Sequence, residues 1–179
     1  MANEVLIKTG TPVVWADTTD FGGTDYTRTH QIDLTSLATT KARQGAKADL
    51  GATRAQQYAV RAAFEIDVAP TAGLTVELYW SSSPSGTAAT ANTGGASGAD
   101  EAYKDGEEAE WVKQLMLLGA MTLTADAATT VQKQHICIFT PPERYGMPVV
   151  VNKAGQAFEG DAVEMYIALI PIIDEIQNA

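Results

Sequence analysis

Hydrophobic and polar residues alternate along two consecutive segments near the middle of the chain. In residues 58–68 an apolar residue occupies every second position, and the charged residues lie on the opposite face. After a break at residues 69–73 that contains proline and glycine, residues 74–80 alternate in the same way. A period of two is typical of a strand with one buried face, and a Pro/Gly break between two such strands favours an antiparallel hairpin. The pattern therefore predicts a hairpin within residues 54–80.

Other segments of the chain also favour strands. Residues 111–124 are apolar on both faces, which favours a buried strand, although a helix over 106–116 fits the same residues. Residues 131–139 are predicted as a strand with Ile136 and Ile138 directed inward. The remaining predicted strands cover residues 3–8, 12–16, 31–37, 147–152 and 163–173. Eight or nine strands with no helical domain and no internal repeat predict an all-β fold, an antiparallel β-sandwich of two sheets with long loops.

The same pattern divides the chain into segments of different character. Residues 1–26 are predicted as an N-terminal extended arm and loop, residues 27–173 as the sandwich, and residues 174–179 as a C-terminal tail. Residues 81–110 form a long insertion that is predicted to be flexible. Its first part, Ser81 to Gly98, contains no large apolar residue. Such a segment buries too little surface to offset its loss of conformational entropy, unless a partner covers it.

Charge excludes two classes of partner. The chain has 179 residues and a formal net charge of −10, with a sequence pI near 4.5. Nucleic acids and anionic membrane surfaces both attract basic proteins, so we expect no direct nucleic-acid binding and no membrane binding. The sequence shows neither the pattern of a secretory leader nor an apolar run long enough to span a bilayer. We therefore expect a soluble protein that is made in the cytoplasm.

The negative charge is concentrated in one segment. Residues 100–110 contain six acidic residues and one lysine, whereas Lys41, Arg43 and Lys47 form a local basic cluster. The acidic segment lacks the ligand spacing of a calcium loop, which favours a solvated face or a subunit contact over a metal site. The basic cluster is interpreted as a solvated loop.

Residues that carry chemistry are few. The chain has one cysteine, Cys137, in an apolar run, which is typical of a buried small side chain. The spacing of the two histidines, His30 and His135, does not support a paired site. Phosphate-binding loops, dinucleotide-binding fingerprints and serine-nucleophile motifs are absent from the sequence. We therefore predict no catalytic, cofactor-binding or metal-binding residues, and a protein that is not an enzyme.

Aromatic and charged residues in loops are the candidate contacts with other proteins. Phe21 and Tyr26 flank a Gly-Gly loop, where they either pack back on the body or act as exposed anchors. The predicted subunit or partner contacts are Trp15, Phe21, Tyr26, Asp100, Glu101, Tyr103, Arg144 and Tyr145. A carbohydrate-binding module is an alternative, with Trp15, Tyr79, Trp80 and Tyr145 as a stacking platform. Against it, Trp80 shares a face with apolar neighbours, which favours a core position.

Four segments carry a resemblance to a known group of proteins. They are Leu74-Thr-Val-Glu-Leu-Tyr-Trp-Ser, Asn92-Thr-Gly-Gly-Ala-Ser-Gly-Ala-Asp, Phe139-Thr-Pro-Pro-Glu-Arg-Tyr-Gly and Tyr166-Ile-Ala-Leu-Ile-Pro. They resemble small virion proteins of tailed bacteriophages and are most similar to capsid decoration, or cement, proteins. The likeness lies in the general character of these segments and not in a diagnostic motif. Components of the tail or the head-to-tail connector share this character.

The resemblance implies a specific fold and function. It implies a jelly-roll-like sandwich located in the virion, which binds the outside of the assembled head and reinforces the junctions between capsomers. The implied partners are the major capsid protein or other virion proteins, and the implied state is a homo-oligomer, commonly a trimer. The arm and the insertion are the segments that we expect to become ordered on neighbouring subunits.

Overall fold

A computed structural model describes the backbone of residues 4–177 and the side chains of residues 6–174. Within this range the chain forms strands and one short helix, α1 (Glu108–Trp111). The strands are β1 (Glu4–Thr9), β2 (Val13–Ala16), β3 (His30–Gln31), β4 (Ala42–Gln44), β5 (Ala48–Asp49), β6 (Gln57–Phe64), β7 (Thr75–Ser83), β8 (Glu101–Ala102), β9 (Met116–Thr122), β10 (Gln132–Phe139), β11 (Tyr145–Lys153) and β12 (Tyr166–Gln177). The predicted all-β fold is confirmed.

The strands form two sheets that pack face to face as a sandwich. Sheet A has the order β10-β6-β12-β2-β3, with β1 also pairing with β12, and sheet B has the order β8-β4-β11-β7-β9, with β5 also pairing with β11. Eight strands form the body, with β10-β6-β12-β2 facing β4-β11-β7-β9. Consecutive strands of this set lie in opposite sheets, except β7 and β9, which pair within sheet B, and this is the strand order of a jelly roll. The jelly-roll-like sandwich is therefore confirmed.

The main core lies between the sheets and is built by the predicted alternation. From β6 it receives Tyr58, Val60 and Phe64, and from β7 it receives Val76, Leu78 and Trp80. The predicted hairpin is wrong, however, because β6 belongs to sheet A and β7 to sheet B. Residues 65–74 cross from one sheet to the other. Alternation identifies a buried face but not the sheet that carries it, since both inner faces point into one core.

The N-terminal segment is part of sheet A and not a separate arm. Strand β2 pairs with β12, opposing Trp15 to Ile167, and the Trp15 side chain is fully buried. Strand β1 pairs with the far end of β12, from Ile172 to Gln177. We call β1 together with residues 172–177 the ribbon. The predicted C-terminal tail is therefore wrong for residues 174–177, which continue a strand, and residues 178–179 lie outside the described range.

The predicted insertion at residues 81–110 corresponds in the structure to residues 84–115, which lie between β7 and β9. These residues, which we call the insertion from here on, pack on the outer face of sheet B. Tyr103, Val112 and Leu115 of the insertion are buried against Met147 and Val149 of β11 in a second apolar cluster. Strand β8 extends the sheet by pairing with β4. The prediction of a flexible insertion rested on the absence of large apolar residues before residue 99. The structure instead anchors this segment through its later residues and through polar contacts.

The outer face of sheet A is half covered. Small side chains on β2, β6 and β12 form a third buried cluster, over which the loop of residues 17–29 folds. Phe21 and Tyr26 lie over Tyr166, with ring centroids 6.3 and 5.1 Å from the Tyr166 ring. The cover ends before the ribbon begins.

Strands β9 and β10 are the edges of their sheets, and they differ from the predictions in detail. A bulge between His135 and Cys137 shifts the register of β10 against β6. As a result Cys137 opposes Val60 and Phe139 opposes Tyr58, and both partners on β6 point inward. Ile138 opposes Ala59 and is 55% exposed. The prediction that Ile138 points inward is therefore wrong.

Residues 111–124 also combine two structures. Helix α1 and a short 3-10 turn precede β9, so the strand begins at Met116 and not at Trp111. Met116 and Leu117 are exposed, whereas Leu118 and Met121 are buried. The strand is confirmed, but the prediction that it is buried on both faces is wrong.

Candidate contact surfaces

The basic cluster and the acidic segment, which are far apart in the sequence, meet on sheet B. The Arg43 Nε donates to Asp100 Oδ1 at 2.7 Å, and the backbone N–H of Asp33 donates to the same oxygen at 3.1 Å. Lys41 pairs with Asp105 and Glu108. The hydrogen bond with Lys41 lowers the pKa of the Asp105 carboxyl and raises the pKa of the Lys41 ammonium. The interpretation of the basic cluster as a solvated loop is therefore wrong.

Lys47, the third residue of the cluster, organises the start of the insertion. Its Nζ donates to Ser83 Oγ and to the carbonyl oxygens of Ser85, Thr87 and Thr90, at 2.7 to 3.2 Å. Burial lowers the pKa of the Lys47 ammonium. The Lys47 ammonium group thus supplies charged hydrogen bonds to three backbone carbonyl oxygens of the insertion.

Two of the predicted contact residues are core residues. Trp15 is fully buried, donates its Nε1–H to the Ala46 carbonyl at 2.7 Å and packs edge-to-face on Trp80 with ring centroids 5.8 Å apart. Tyr103 is 1% exposed and donates its hydroxyl to the Gly94 carbonyl at 2.7 Å. The prediction that their side chains contact a partner is wrong. Trp15 fills the core between the sheets, and Tyr103 fills the apolar cluster on the outer face of sheet B.

The same burial removes the predicted carbohydrate platform. Trp15 and Trp80 lie between the sheets, whereas Tyr79 lies on the outer face of sheet B, where its hydroxyl donates to Glu77 at 2.8 Å. Tyr145 is half-buried at the start of β11, between Asp49 of β5 and Ser83 of β7. The four rings therefore form no common stacking surface.

Arg144 and Tyr145 form an accessible corner at the start of β11. Arg144 donates Nε and Nη2 to the two carboxylate oxygens of Asp49 at 2.7 and 2.6 Å, and it lies over the Tyr145 ring at 5.0 Å. This fork lowers the pKa of the Asp49 carboxyl. A rigid, half-exposed Arg–Tyr pair is the type of residue that binding hot spots favour, so this corner stays a candidate contact.

The other predicted contacts lie on two separate surfaces. Phe21 and Tyr26 are half-buried over sheet A, which matches the expectation that they pack back on the body. Asp100 is engaged by Arg43, and Glu101 is exposed next to it on β8. The structure therefore does not bring the predicted residues together into one site.

A groove of about 410 Å³ opens beside the covered part of sheet A. Lys133 crosses it to Asp25 at 2.6 Å, and Asp25 also accepts from the Tyr166 hydroxyl at 3.4 Å. Burial, the largest cause, and the Asp25 carboxylate raise the pKa of Tyr166 to about 12. The groove is also lined by Arg61 and His135. Lys133, Asp25 and Tyr166 are engaged with one another in this groove.

The two histidines do not meet. His30 lies on β3 and His135 on β10, which are the opposite ends of sheet A. Four strand spacings separate them, or about 19 Å. His30 stacks near Trp15, with ring centroids 5.3 Å apart, and burial lowers its pKa. A two-histidine site is therefore excluded by the topology.

Glu65 is an acidic group whose buried environment the sequence did not indicate. The alternation placed it on a solvent face, but it is 5% exposed at the end of β6, near Glu159, Asp161 and Glu164. Burial and then repulsion from Glu164 raise the pKa of the Glu65 carboxyl to about 7. Within the described residues, no group of three or more His, Cys, Asp or Glu side chains has the geometry to hold a metal ion.

Exposed apolar side chains are concentrated at two places. On β9 and β10 they are Met116, Leu117 and Ile138, and on the ribbon they are Leu6, Ile7 and Ile173. Ile7 is 74% exposed, more than any of the others. Large apolar residues exposed in groups mark surfaces that contact other molecules.

The chain matches no protein-family model, and it matches no curated protein. In the part of the chain that the structure describes, the helices are all too short and too polar to cross a membrane.

Proposed function

We propose that this protein is a non-enzymatic structural component of a tailed-bacteriophage particle. Its most specific form is a capsid decoration, or cement, protein that binds the outside of the assembled head and stabilises the junctions between capsomers. Two kinds of support are combined. The sequence segments resemble such proteins, and the jelly-roll sandwich is the fold that the resemblance implies. Because one fold serves many functions, the fold alone does not establish this function.

The observation that carries the proposal is the ribbon. It extends beyond the body of sheet A as two paired strands, with Leu6 and Ile173 exposed on one face and Ile7 on the other. Two-stranded ribbons are marginally stable in water, and open strand edges with exposed apolar residues invite further contacts. A ribbon of this kind is stabilised when a neighbouring protein covers it.

A capsid lattice supplies such neighbours many times over. Each copy of the protein meets the same junction, so several weak contacts act together and the occupancy exceeds what one contact supports. The Arg144–Tyr145 corner and the exposed Glu101 provide second contacts away from the ribbon. The partners are then the major capsid protein or other virion proteins, with a homo-oligomer, commonly a trimer, as the bound form.

Binding to purified heads tests the proposal. Wild-type protein should sediment with heads that lack it and should raise the temperature at which those heads open. Leu6→Asp places a charge on the exposed ribbon face and should reduce occupancy at least tenfold. Leu117→Asp is the matched control, since Leu117 is a similarly exposed apolar residue on the edge of sheet B. The proposal fails if wild-type protein does not bind heads.

The position in the particle distinguishes the alternative. Electron microscopy of particles that carry a labelled protein should show label over the head surface. Label confined to the tail or the head-to-tail connector would replace the decoration role by a role in that part of the particle.

A further inference from the structure

The groove beside the covered part of sheet A, which we call the Arg61 groove, is formed by the loop of residues 17–29 and by two strands. Asp25 and Tyr26 line it from the loop, and Arg61 and His135 line it from β6 and β10. Arg61 and His135 oppose each other in the ladder between these strands, so both side chains leave the sheet on the same face. The volume of about 410 Å³ lies within the range of about 300–1,000 Å³ that is typical of ligand sites.

The Arg61 groove is basic, although the chain as a whole is acidic. Arg61 and Lys133 carry positive charge, and His135 supplies further ring nitrogens, whereas Asp25 is the one carboxylate among the residues that line the groove. The whole chain has a formal net charge of −10. A concave basic surface on an acidic protein attracts an anionic group of another molecule.

The guanidinium of Arg61 is an open hydrogen-bond donor. Among the residues that the structure describes, the exposed Arg61 has no ion-pair or hydrogen-bond partner, whereas Lys133 pairs with Asp25. Burial raises the pKa of Tyr166 to about 12, and the nearby Arg61 charge opposes this rise, so the guanidinium lies close to the Tyr166 hydroxyl. A guanidinium has five N–H donors in a planar fork that matches the two oxygens of a carboxylate.

Asp25 shows how a carboxylate binds in the Arg61 groove. Its Oδ2 accepts a hydrogen bond from Lys133 Nζ at 2.6 Å and another from the Tyr166 hydroxyl at 3.4 Å. The side chains of Lys133 and Asp25 are 50% and 41% exposed, and ion pairs with this exposure are weak. A carboxylate from another molecule therefore competes with Asp25 for Lys133, and it gains the donors of Arg61, which Asp25 does not use.

We propose that the Arg61 groove is a binding site for the carboxylate of an aspartate or glutamate side chain on a partner protein. Arg61 donates its fork to the two carboxylate oxygens, and Lys133 turns from Asp25 to the same group. A nucleic acid is a poor ligand, because two cations on a chain with a net charge of −10 are too few to displace the counterions of its backbone. The partner therefore presents a short acidic peptide segment.

The Arg61 groove and the ribbon are separate surfaces. Tyr166 precedes Ile172, where the ribbon begins, by six residues, or about 20 Å along β12. A partner segment in the groove and a neighbour that covers the ribbon therefore contact different residues. Binding in the groove needs no particle, and its failure is separable from a failure to bind heads.

A short acidic peptide tests the site in the full-length protein. The probe is a peptide of four glutamates with an acetylated amino end and an amidated carboxyl end, titrated at pH 7 and constant ionic strength. In NMR spectra of ¹⁵N-labelled protein, the backbone amide signals that shift should be those of the residues that line the groove, among them Asp25, Tyr26, Arg61, His135 and Tyr166. The dissociation constant should be on the order of 1 mM, because exposed ion pairs supply most of the binding. The matched peptide of four glutamines should shift none of these signals.

Three variants test the roles of the lining residues. Arg61→Gln should weaken peptide binding at least fivefold and leave the fold intact, because Arg61 has no partner among the described residues. Asp25→Asn should strengthen binding at least threefold, since it removes the carboxylate that competes for Lys133. Lys113→Gln is the control, because it removes one positive charge at an exposed position of the insertion and should leave the affinity unchanged.

Several outcomes overturn the proposal. They are equal binding of the glutamate and glutamine peptides, wild-type affinity of Arg61→Gln, an equal loss in Lys113→Gln, and no gain in Asp25→Asn. Inorganic phosphate is the second probe and should bind more weakly than the glutamate peptide. Phosphate that binds more tightly would assign the groove to a phosphate group and overturn the carboxylate ligand. Heads that still bind a protein with no affinity for the peptide would refute the groove proposal alone.

Discussion

The insertion and the ribbon reverse the usual relation between hydrophobicity and packing. The first half of the insertion has no large apolar residue, yet it follows a defined course because Lys47 and Ser81 donate hydrogen bonds to its carbonyl oxygens. The ribbon contains isoleucine and leucine, yet Ile7 is exposed. Composition alone predicts the opposite for both regions. Whether each region is packed depends on whether other residues of the chain lie close enough to contact it.

The partners of the insertion come from an earlier part of the chain. Lys41, Arg43 and Lys47 lie on or beside β4, and they contact residues 83–108. The loop of residues 17–29 covers β2, β6 and the first part of β12, and the ribbon side chains Leu6, Ile7 and Ile173 are exposed. We therefore expect changes in the insertion to affect the folded monomer, and changes in the ribbon to affect its associations.

Tyr103→Ala should cause the largest loss of stability. The side chain is buried between the insertion and β11, so its removal leaves a cavity, and large-to-small changes of buried aromatic residues cost about 3–5 kcal/mol. Chemical denaturation measures the loss. Tyr103→Phe is the control, since it keeps the ring and removes only the hydrogen bond to Gly94, at about 1 kcal/mol. Equal stability of the alanine variant and the wild type would mean that the insertion does not pack on sheet B.

Glu65→Gln tests the body between these two regions through pH. The folded state raises the pKa of this carboxyl from 4.5 to about 7. The protonated carboxyl therefore favours the folded state at low pH, and the free energy of unfolding decreases as pH rises from 4.5 through 7. The neutral glutamine avoids this loss. At pH 8 the variant should be more stable by on the order of 1–3 kcal/mol, and at pH 4 the difference should vanish.

Denaturation curves across this pH range measure the effect of Glu65. Glu101→Gln is the control, because it makes the same change at an exposed position. If the stabilities of Glu65→Gln and wild type change in parallel between pH 4.5 and 7, the carboxyl is not desolvated in the way the structure indicates.

Lys47→Met should release the start of the insertion with a smaller effect on the whole fold. The change removes the donor for three carbonyls and one hydroxyl, and charged hydrogen bonds of this kind contribute about 1–3 kcal/mol. Limited proteolysis should cleave the variant within residues 84–98, whereas the wild-type insertion should resist. Lys113→Met, at an exposed position, is the control. Rapid cleavage of the wild type would restore the original expectation of a flexible insertion.

Deletion of residues 1–9 should have the smallest effect on the monomer. These residues contribute β1, which pairs only with the far end of β12, so the melting temperature should fall by no more than about 4 °C. Deletion of residues 1–16 should prevent folding, because it also removes Trp15 from the core. Similar melting temperatures for the two deletions would contradict the boundary between ribbon and body.

The sequence was sufficient for the fold class but not for the connections. Alternation in β6 and β7 correctly identified the residues that face the core. It could not assign the sheets, because a strand of either sheet buries one face in the same way. The residues around Ile138 do not indicate the bulge in β10, because the bulge depends on the register of β10 against β6.

The candidate surfaces were predictable where a residue acts locally. Arg144 and Tyr145 follow a proline-containing loop, and they form an accessible corner as expected. Tyr103 lies beside six acidic residues in the sequence, yet it is buried because its neighbours in space come from β11. The pairing of Arg43 with Asp100 likewise joins residues distant in sequence. The opposite charges of the two segments are the sequence signal for this pairing.

The place of β12 in sheet A has a consequence for the order of folding. This strand lies between β6 and β2, so sheet A is incomplete until residues 166–172 have been synthesised and have found partners far back in the chain. Pairings of such long sequence separation form slowly, and the apolar strands that wait for them are prone to aggregate. During synthesis, Trp15 and Phe64 therefore remain without their final neighbours for most of the time that the chain is growing.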